Sequence, residues 1–227
     1  GTGTDKPEHV EYQLGSLYSE DGPPHPLLVA WHGFGSSAGS VAAQSTLDEE
    51  CNERGWVFLS VTGLDDQLYG SPVSQQHAEA AIAWMLANFH VDPERVAMVG
   101  FSMGAGVVAN FAARHRDPDG VMIAALGLVS AVSDWTAAYA LGTGATKAIL
   151  AGEYNFGGSP DEFPFRYQRS SGLHFVPGTY PPLPGDLDAR LSMSDNLEHV
   201  PVFLTWDQGD TVPASKAQNP VRARFLA

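Results

Sequence analysis

The segment VAMVGFSMG at residues 96–104 places a serine between two glycines directly after an apolar run. The apolar run is typical of a parallel strand buried on both faces, and a helical run follows at residues 105–114. A serine at such a sharp strand-to-helix turn is forced outward, and a Cβ at Gly100 or Gly104 would clash with the neighbouring strand and helix. The helix N-terminus behind the serine stabilises developing negative charge. We therefore predict that Ser102 is a nucleophile; the alternative is a glycine-rich turn that only packs.

Apolar runs of the same kind recur along the chain. They are short and rich in branched or aromatic residues, and they lie at residues 26–31, 56–61, 122–130 and 200–206. Between them, residues 74–90 have the apolar spacing of an amphipathic helix. This alternation of strands and helices predicts an α/β fold with a doubly wound, mostly parallel sheet.

The alternating pattern breaks at residues 135–198, which are rich in glycine, proline and aromatic residues. Only residues 136–151 look helical in this stretch, and loops of such length are usually functional or mobile. Because a buried strand returns at residues 200–206, we expect one domain over residues 1–227, with residues 135–198 as a lid or cap insertion.

A second motif, HGFG at residues 32–35, follows the strand at residues 26–31. In a layout with Ser102 as nucleophile, this loop faces the serine. The backbone N–H groups of Phe34 and Met103 are then the expected oxyanion hole for a tetrahedral intermediate. The alternative is that the glycines only allow a tight turn. We expect His32 to brace the loop rather than to shuttle protons.

A carboxylate follows the last predicted strand, within the segment DQGDTVP at residues 207–213. Asp210 is the predicted acid that orients an imidazole and stabilises its cationic form. Asp207 and, more distantly, Asp134 are its competitors. The alternative is an acid that only serves a turn.

Together, GFSMG, HGFG and the Asp-Thr-Val-Pro segment ending at Pro213 resemble those of bacterial serine carboxylesterases of the α/β-hydrolase family. Residues 91–96, VDPERV, look like the approach to the serine in dienelactone-hydrolase-like and phospholipase/carboxylesterase-like members. The pairing of Phe34 with Met103 is also similar to cutinase-like polyester hydrolases. The resemblance implies ester hydrolysis through an acyl-enzyme, with no metal or organic cofactor.

The family pattern needs a histidine after the acid, and no histidine follows Asp210 in this sequence. A return to the site takes a helix, a strand and their connections, about 25 residues in all, and Pro220 is expected to interrupt that helix. We therefore expect the sheet to lack its last strand and helix, and the catalytic histidine to lie beyond Ala227. The alternatives are an unusual base, either His174 or His32, and a non-catalytic relative.

The composition and net charge of the chain limit the kinds of molecule that it is expected to bind. The formal net charge of −14 disfavours nucleic acid and anionic surfaces, and the single Cys51 cannot form an intramolecular disulfide. No apolar stretch approaches the roughly 20 residues of a membrane span, so we expect a soluble protein acting on a small-molecule ester. The compartment, cytoplasmic or secreted, and the oligomeric state stay open.

A binding module with this fold and a polyester hydrolase are the alternative functions. A peptidase is disfavoured because no accessory domain is present to select peptides.

Overall fold

The computed structural model describes residues 6–116, 120–172, 193–198 and 200–226. Within these residues, six strands form one sheet: β1 (Val10–Gln13), β2 (His25–Trp31), β3 (Val57–Val61), β4 (Val91–Phe101), β5 (Ile123–Val129) and β6 (Val202–Thr205). Eight helices accompany them: α1 (Ala38–Gln44), α2 (Leu47–Arg54), α3 (Pro72–Asn88), α4 (Met103–Arg114), α5 (Trp135–Leu141), α6 (Gly144–Leu150), α7 (Pro164–Ser170) and α8 (Pro213–Leu226).

The strand order is β1-β3-β2-β4-β5-β6, and every pairing is parallel except that of β1 with β3. The strand that leads to Ser102, β4, therefore lies between β2 and β5. Because the carboxyl ends of parallel strands meet at one edge of a sheet, the segments that follow β2, β4, β5 and β6 converge there. The predicted fold class, a mostly parallel α/β sheet, is confirmed.

Both faces of the sheet are covered, as expected for a doubly wound fold. Along β2, Leu27, Val29 and Trp31 belong to the larger buried cluster, which includes residues of α3 and α4. Ala30, between them, points to the opposite face and a smaller cluster. That cluster includes Val41 of α1 and Cys51 of α2.

Two predicted boundaries are corrected. The helix expected at residues 136–151 is two helices, α5 and α6, because the chain is extended at Gly142 and the side chain of Thr143 caps α6 by accepting from Thr146 N–H. The edge strand β1 was not predicted, because only one of its four residues is even partly buried and no apolar pattern marks it.

The expectation of a missing last helix is wrong, because α8 follows β6 and continues through Pro220. Proline removes one helical hydrogen bond, but side chains of the preceding turns anchor α8 to the segment after β5. Gln218 accepts from the N–H groups of Ser133 and Asp134 at 2.8 and 3.0 Å, and Asn219 donates to Ala131 O at 3.1 Å. These contacts hold the helix where the sequence pattern predicts a break. In the described part of the chain, no strand follows β6.

No helix among the described residues is long and apolar enough to cross a bilayer.

Candidate active site

Ser102 lies at the turn between β4 and α4 and has φ 53° and ψ −111°. A positive φ costs a residue with a Cβ of order 1–3 kcal/mol, and it persists only where the surroundings fix the backbone. Here hydrogen bonds hold the residue on both sides. Ser102 N–H donates to Val129 O at 2.8 Å, and Val132 N–H donates to Ser102 O at 3.0 Å. The predicted sharp turn is present, and β5 holds it in place.

The two glycines that flank the serine allow close backbone approach. A Cβ on Gly100 would lie 2.3 Å from Gly104 O, and one on Gly104 would lie 2.4 Å from His32 O. Both contacts are with backbone atoms, which cannot swing aside as a flexible side chain can. The positions therefore require glycine for steric reasons, as the motif predicted.

Residues 32–37, called the glycine loop below, lie beside the serine. A Cβ on Gly33 would lie 3.8 Å from Ser102 Cβ. Phe34 N–H has no acceptor among the described residues, whereas Gly35 N–H donates to Asp66 O at 2.9 Å. Met103 is the first residue of α4, and the first N–H groups of a helix lack intrahelical acceptors. Two N–H donors are thus available to an oxygen at this place.

His32 is almost completely buried and is not open to the cleft. Its Nδ1 lies 2.6 Å from Gly33 O and its Nε2 lies 3.1 Å from Thr62 O. With both ring nitrogens against backbone oxygens, the imidazole braces the glycine loop, as the sequence analysis expected. It is not placed to take a proton from Ser102.

Asp210 lies in the turn that joins β6 to α8. Its Oδ1 accepts from Val212 N–H at 2.8 Å and its Oδ2 accepts from the Ser215 hydroxyl at 2.6 Å. Partial burial alone would raise the pKa of Asp210, but the hydrogen bonds from Ser215 and Val212 outweigh it and hold the pKa below its usual value. The carboxylate is therefore ionised at neutral pH and fixed in direction, as an acid that orients an imidazole must be.

The competing acids have structural partners of their own. Asp207 is exposed, and its Oδ1 accepts from Gly209 N–H at 2.7 Å within its own turn. Asp134 is fully buried and caps α5 by accepting from Ala137 N–H. Asp210, unlike Asp207, is partly buried and is closely followed by residues that line the cleft, Val212, Pro213 and Ala214.

The cleft above Ser102 has a volume of about 240 Å³. The glycine loop, α5, α6 and the start of α8 enclose it together with the serine. Its described lining contains no charged side chain and no histidine: Phe34, Tyr69, Ser102, Met103, Val132, Ala138, Leu141, Gly142, Thr143, Thr146, Val212, Pro213 and Ala214. This volume lies just below the usual range for ligand pockets, so a small uncharged molecule fits it best.

An imidazole is missing from this arrangement in the described residues. His25 and His90 lie at the amino ends of β2 and β4, and His115 caps the far end of α4. His174, one of the two alternatives within the chain, lies outside the described residues. The described residues thus present a serine, two N–H donors and, in the turn before α8, a carboxylate, without a described base.

Tyr69 is a cleft residue that the sequence analysis missed. Its ring packs against Phe34 and Trp135, with centroid distances of 5.8 and 5.1 Å, and burial raises the pKa of its phenol to about 12. Asn155 holds the loop that carries it by accepting from Tyr69 N–H at 2.8 Å. Nothing local distinguishes this tyrosine from the chain's other tyrosines, since only the fold brings it to Ser102.

Comparison with known proteins agrees with the α/β-hydrolase fold. A family model described as the alpha/beta hydrolase fold matches residues 69–152, which include the Ser102 turn. No curated protein sequence matches the chain.

Many solved structures are similar to the chain at low sequence identity. A carboxylesterase from Lactobacillus plantarum superposes with a TM-score of 0.59 at 16% identity, covering 95% of this chain and 72% of its own. A fluorophosphonate-binding serine hydrolase from Staphylococcus aureus has a TM-score of 0.57 at 12% identity, with 98% and 89% covered. An acylaminoacyl peptidase from Pyrococcus horikoshii has a TM-score of 0.66 at 15% identity, but the match spans only 33% of that chain.

Proposed function

We propose that this chain, which has the α/β-hydrolase fold, is a serine carboxylesterase that hydrolyses small uncharged esters through an acyl-enzyme. The observation that carries the proposal is the strained Ser102 turn. Beside it lie an uncharged cleft and two N–H donors that have no acceptor among the described residues. The narrower resemblance to dienelactone-hydrolase-like members stays a prediction, because the similar structures support the fold as a whole.

The mechanism begins with attack by Ser102 Oγ on the ester carbonyl carbon, while the hydroxyl proton passes to an imidazole base. The carbonyl oxygen becomes an oxyanion and accepts hydrogen bonds from Phe34 N–H and Met103 N–H. Loss of one such donor typically raises the barrier by about 3 kcal/mol. Collapse of the intermediate expels the alcohol, which takes the proton, and water then releases the acid from the serine.

Asp210 is proposed to orient the base and to stabilise its cationic form. Of the three candidates for the base, His32 has both ring nitrogens against backbone oxygens. The other two, His174 and a histidine beyond Ala227, lie outside the described residues. A His174→Ala variant separates them. Loss of turnover assigns the base to His174, and an unchanged rate assigns it elsewhere.

A non-catalytic binding module is the second candidate function, and it is favoured by one observation: no described residue of the cleft is an imidazole. Such a protein would retain small esters in the cleft without turning them over. The peptidase alternative gains no support from the Pyrococcus enzyme, because the match spans only a third of that chain.

We expect hydrolysis of a short-chain chromogenic ester such as 4-nitrophenyl butyrate, with higher kcat/KM for neutral esters than for anionic analogues of the same length. The physical reason is the uncharged cleft within a chain of net charge −14. The activity should be unchanged after dialysis against EDTA, since the described residues contain no cluster of metal-binding side chains.

Initial rates with and without EDTA, for a neutral and a carboxylated substrate, provide the measurement. Binding of the ester without release of nitrophenol would favour the binding module. A loss of activity with EDTA that is reversed by adding a divalent ion would contradict the metal-free mechanism.

A further inference from the structure

Glu8, in the N-terminal segment, has a carboxylate that is nearly buried and fully engaged. Its side chain is 11% exposed. Oε1 accepts from the N–H groups of Thr62 and Gly63 at 2.8 and 2.7 Å, and Oε2 accepts from Leu64 N–H at 2.7 Å. His77 Nδ1 of α3 lies 3.2 Å from Oε2, and the His77 side chain is only 14% exposed. Three convergent N–H bonds to one carboxylate are a strong, directed contact.

The segment that Glu8 holds, residues 62–66, is called the backing loop below, and its backbone is strained. Gly63 and Leu64 have φ values of 68° and 76°. Glycine adopts a positive φ readily, but for Leu64 the penalty is of order 1–2 kcal/mol. The N–H groups that donate to Glu8 belong to Gly63, Leu64 and the preceding residue, Thr62. The carboxylate therefore holds a conformation that the loop would otherwise tend to leave.

The backing loop in turn supports the glycine loop at two places and the residue just after it at a third. His32 Nε2 lies 3.1 Å from Thr62 O. Gly35 N–H donates to Asp66 O at 2.9 Å, and Ala38 N–H donates to Thr62 Oγ1 at 3.1 Å. Thr62 thus contacts both the beginning of the glycine loop and the residue just after it.

The chain of contacts from Glu8 to Phe34 N–H ends in a single peptide unit, between Gly33 and Phe34. His32 Nδ1 lies 2.6 Å from Gly33 O, and Gly33 C=O belongs to the same planar unit as Phe34 N–H. Because carbonyl and N–H point in opposite directions across a trans peptide, fixing the carbonyl oxygen on His32 also fixes the direction of the Phe34 N–H. The direction of this donor therefore depends on where the backing loop holds the imidazole.

We propose that Glu8 is a positioning residue for the oxyanion hole: through the backing loop and His32 it sets the direction of Phe34 N–H. The inference rests on the proposed function, in which that N–H binds the oxyanion. Glu8 itself touches neither the substrate nor Ser102.

The test compares Glu8→Gln and Glu8→Ala with Glu11→Gln, a control on the neighbouring strand whose carboxylate is 52% exposed. Gln keeps one acceptor oxygen for Thr62 and Gly63 but turns an amide N–H₂ towards Leu64 N–H. We expect kcat for the neutral ester to fall in the order wild type, Gln, Ala, with about a ten-fold loss for Ala, since one misaligned donor costs less than the 10²- to 10³-fold of a deleted one. KM should stay unchanged, because the oxyanion forms only in the transition state.

A second readout separates this inference from the proposed function. Amide hydrogen exchange is measured on the same variants in a Ser102→Ala background, where catalysis plays no part. We expect faster exchange at Gly35 and Ala38, whose N–H groups bond to the backing loop, in the Glu8→Ala protein but not in the Glu11→Gln control. Unchanged exchange at these amides, or an equal rise across the whole chain, would overturn the positioning role even if the wild type is an active esterase. Local loosening without any wild-type turnover would instead count against the esterase proposal.

Discussion

Replacement of Ser102 by alanine is expected to lower kcat for a neutral short-chain ester by about 10⁶-fold, as removal of the nucleophile does in serine hydrolases. The variant keeps the N–H groups of Phe34 and Met103, so only the residual catalysis of the oxyanion hole and of binding should remain. Folding should be retained, because neither of the two backbone hydrogen bonds of Ser102 involves its hydroxyl. The measurement is kcat, with circular dichroism as the check on folding.

Ser36→Ala is the matched control, since it removes a serine hydroxyl from the neighbouring glycine loop. It should leave kcat within about two-fold of the wild type, the range usual for surface changes away from special contacts. A Ser102→Ala protein that still turns over at the wild-type rate would remove Ser102 from the mechanism.

The second large effect is expected at Asp210. Replacement by asparagine preserves the shape of the side chain but removes the charge that stabilises a cationic imidazole, and we expect kcat to fall by about 10³- to 10⁴-fold. The carboxylate accepts hydrogen bonds at both oxygens, so a smaller loss of stability should accompany this loss of activity. The measurement is kcat together with the denaturation midpoint.

Asp207→Asn provides the matched control for this prediction. Asp207 is exposed and, among the described residues, bonded only within its own turn, so its replacement should change kcat by less than about two-fold. The opposite result, with Asp207→Asn inactive and Asp210→Asn active, would assign the acid to Asp207.

The fold and the serine turn could be predicted because their signals are local. The buried run of β3, for example, is covered on both faces along all five residues, and its composition alone marks it as a parallel strand. In the same way, Gly100 stands two residues before Ser102 and is dictated by a contact within that turn, with Gly104 O. Local sequence is enough wherever the determining contact is close in the chain.

The parts that escaped prediction depend on contacts between distant segments. Glu8 meets residues more than fifty positions away, and Tyr69 reaches the cleft only because the sheet brings its loop to Ser102. Continuation of α8 through Pro220 likewise depends on Gln218 and Asn219 bonding to the segment after β5. Propensity predicts a break there, and tertiary hydrogen bonds outweigh it.

Covalent labelling of the wild-type protein with a fluorophosphonate, followed by tandem mass spectrometry of the digest, is the most direct measurement of Ser102 as an activated nucleophile. The phosphonyl group mimics the tetrahedral intermediate, so it reacts where a serine, a base and oxyanion donors meet. The predicted result is a single adduct on Ser102 that is absent from the Ser102→Ala protein and slower to form in Glu8→Ala. An adduct on another residue, or none while a reference serine hydrolase in the same sample is labelled, would contradict the assignment.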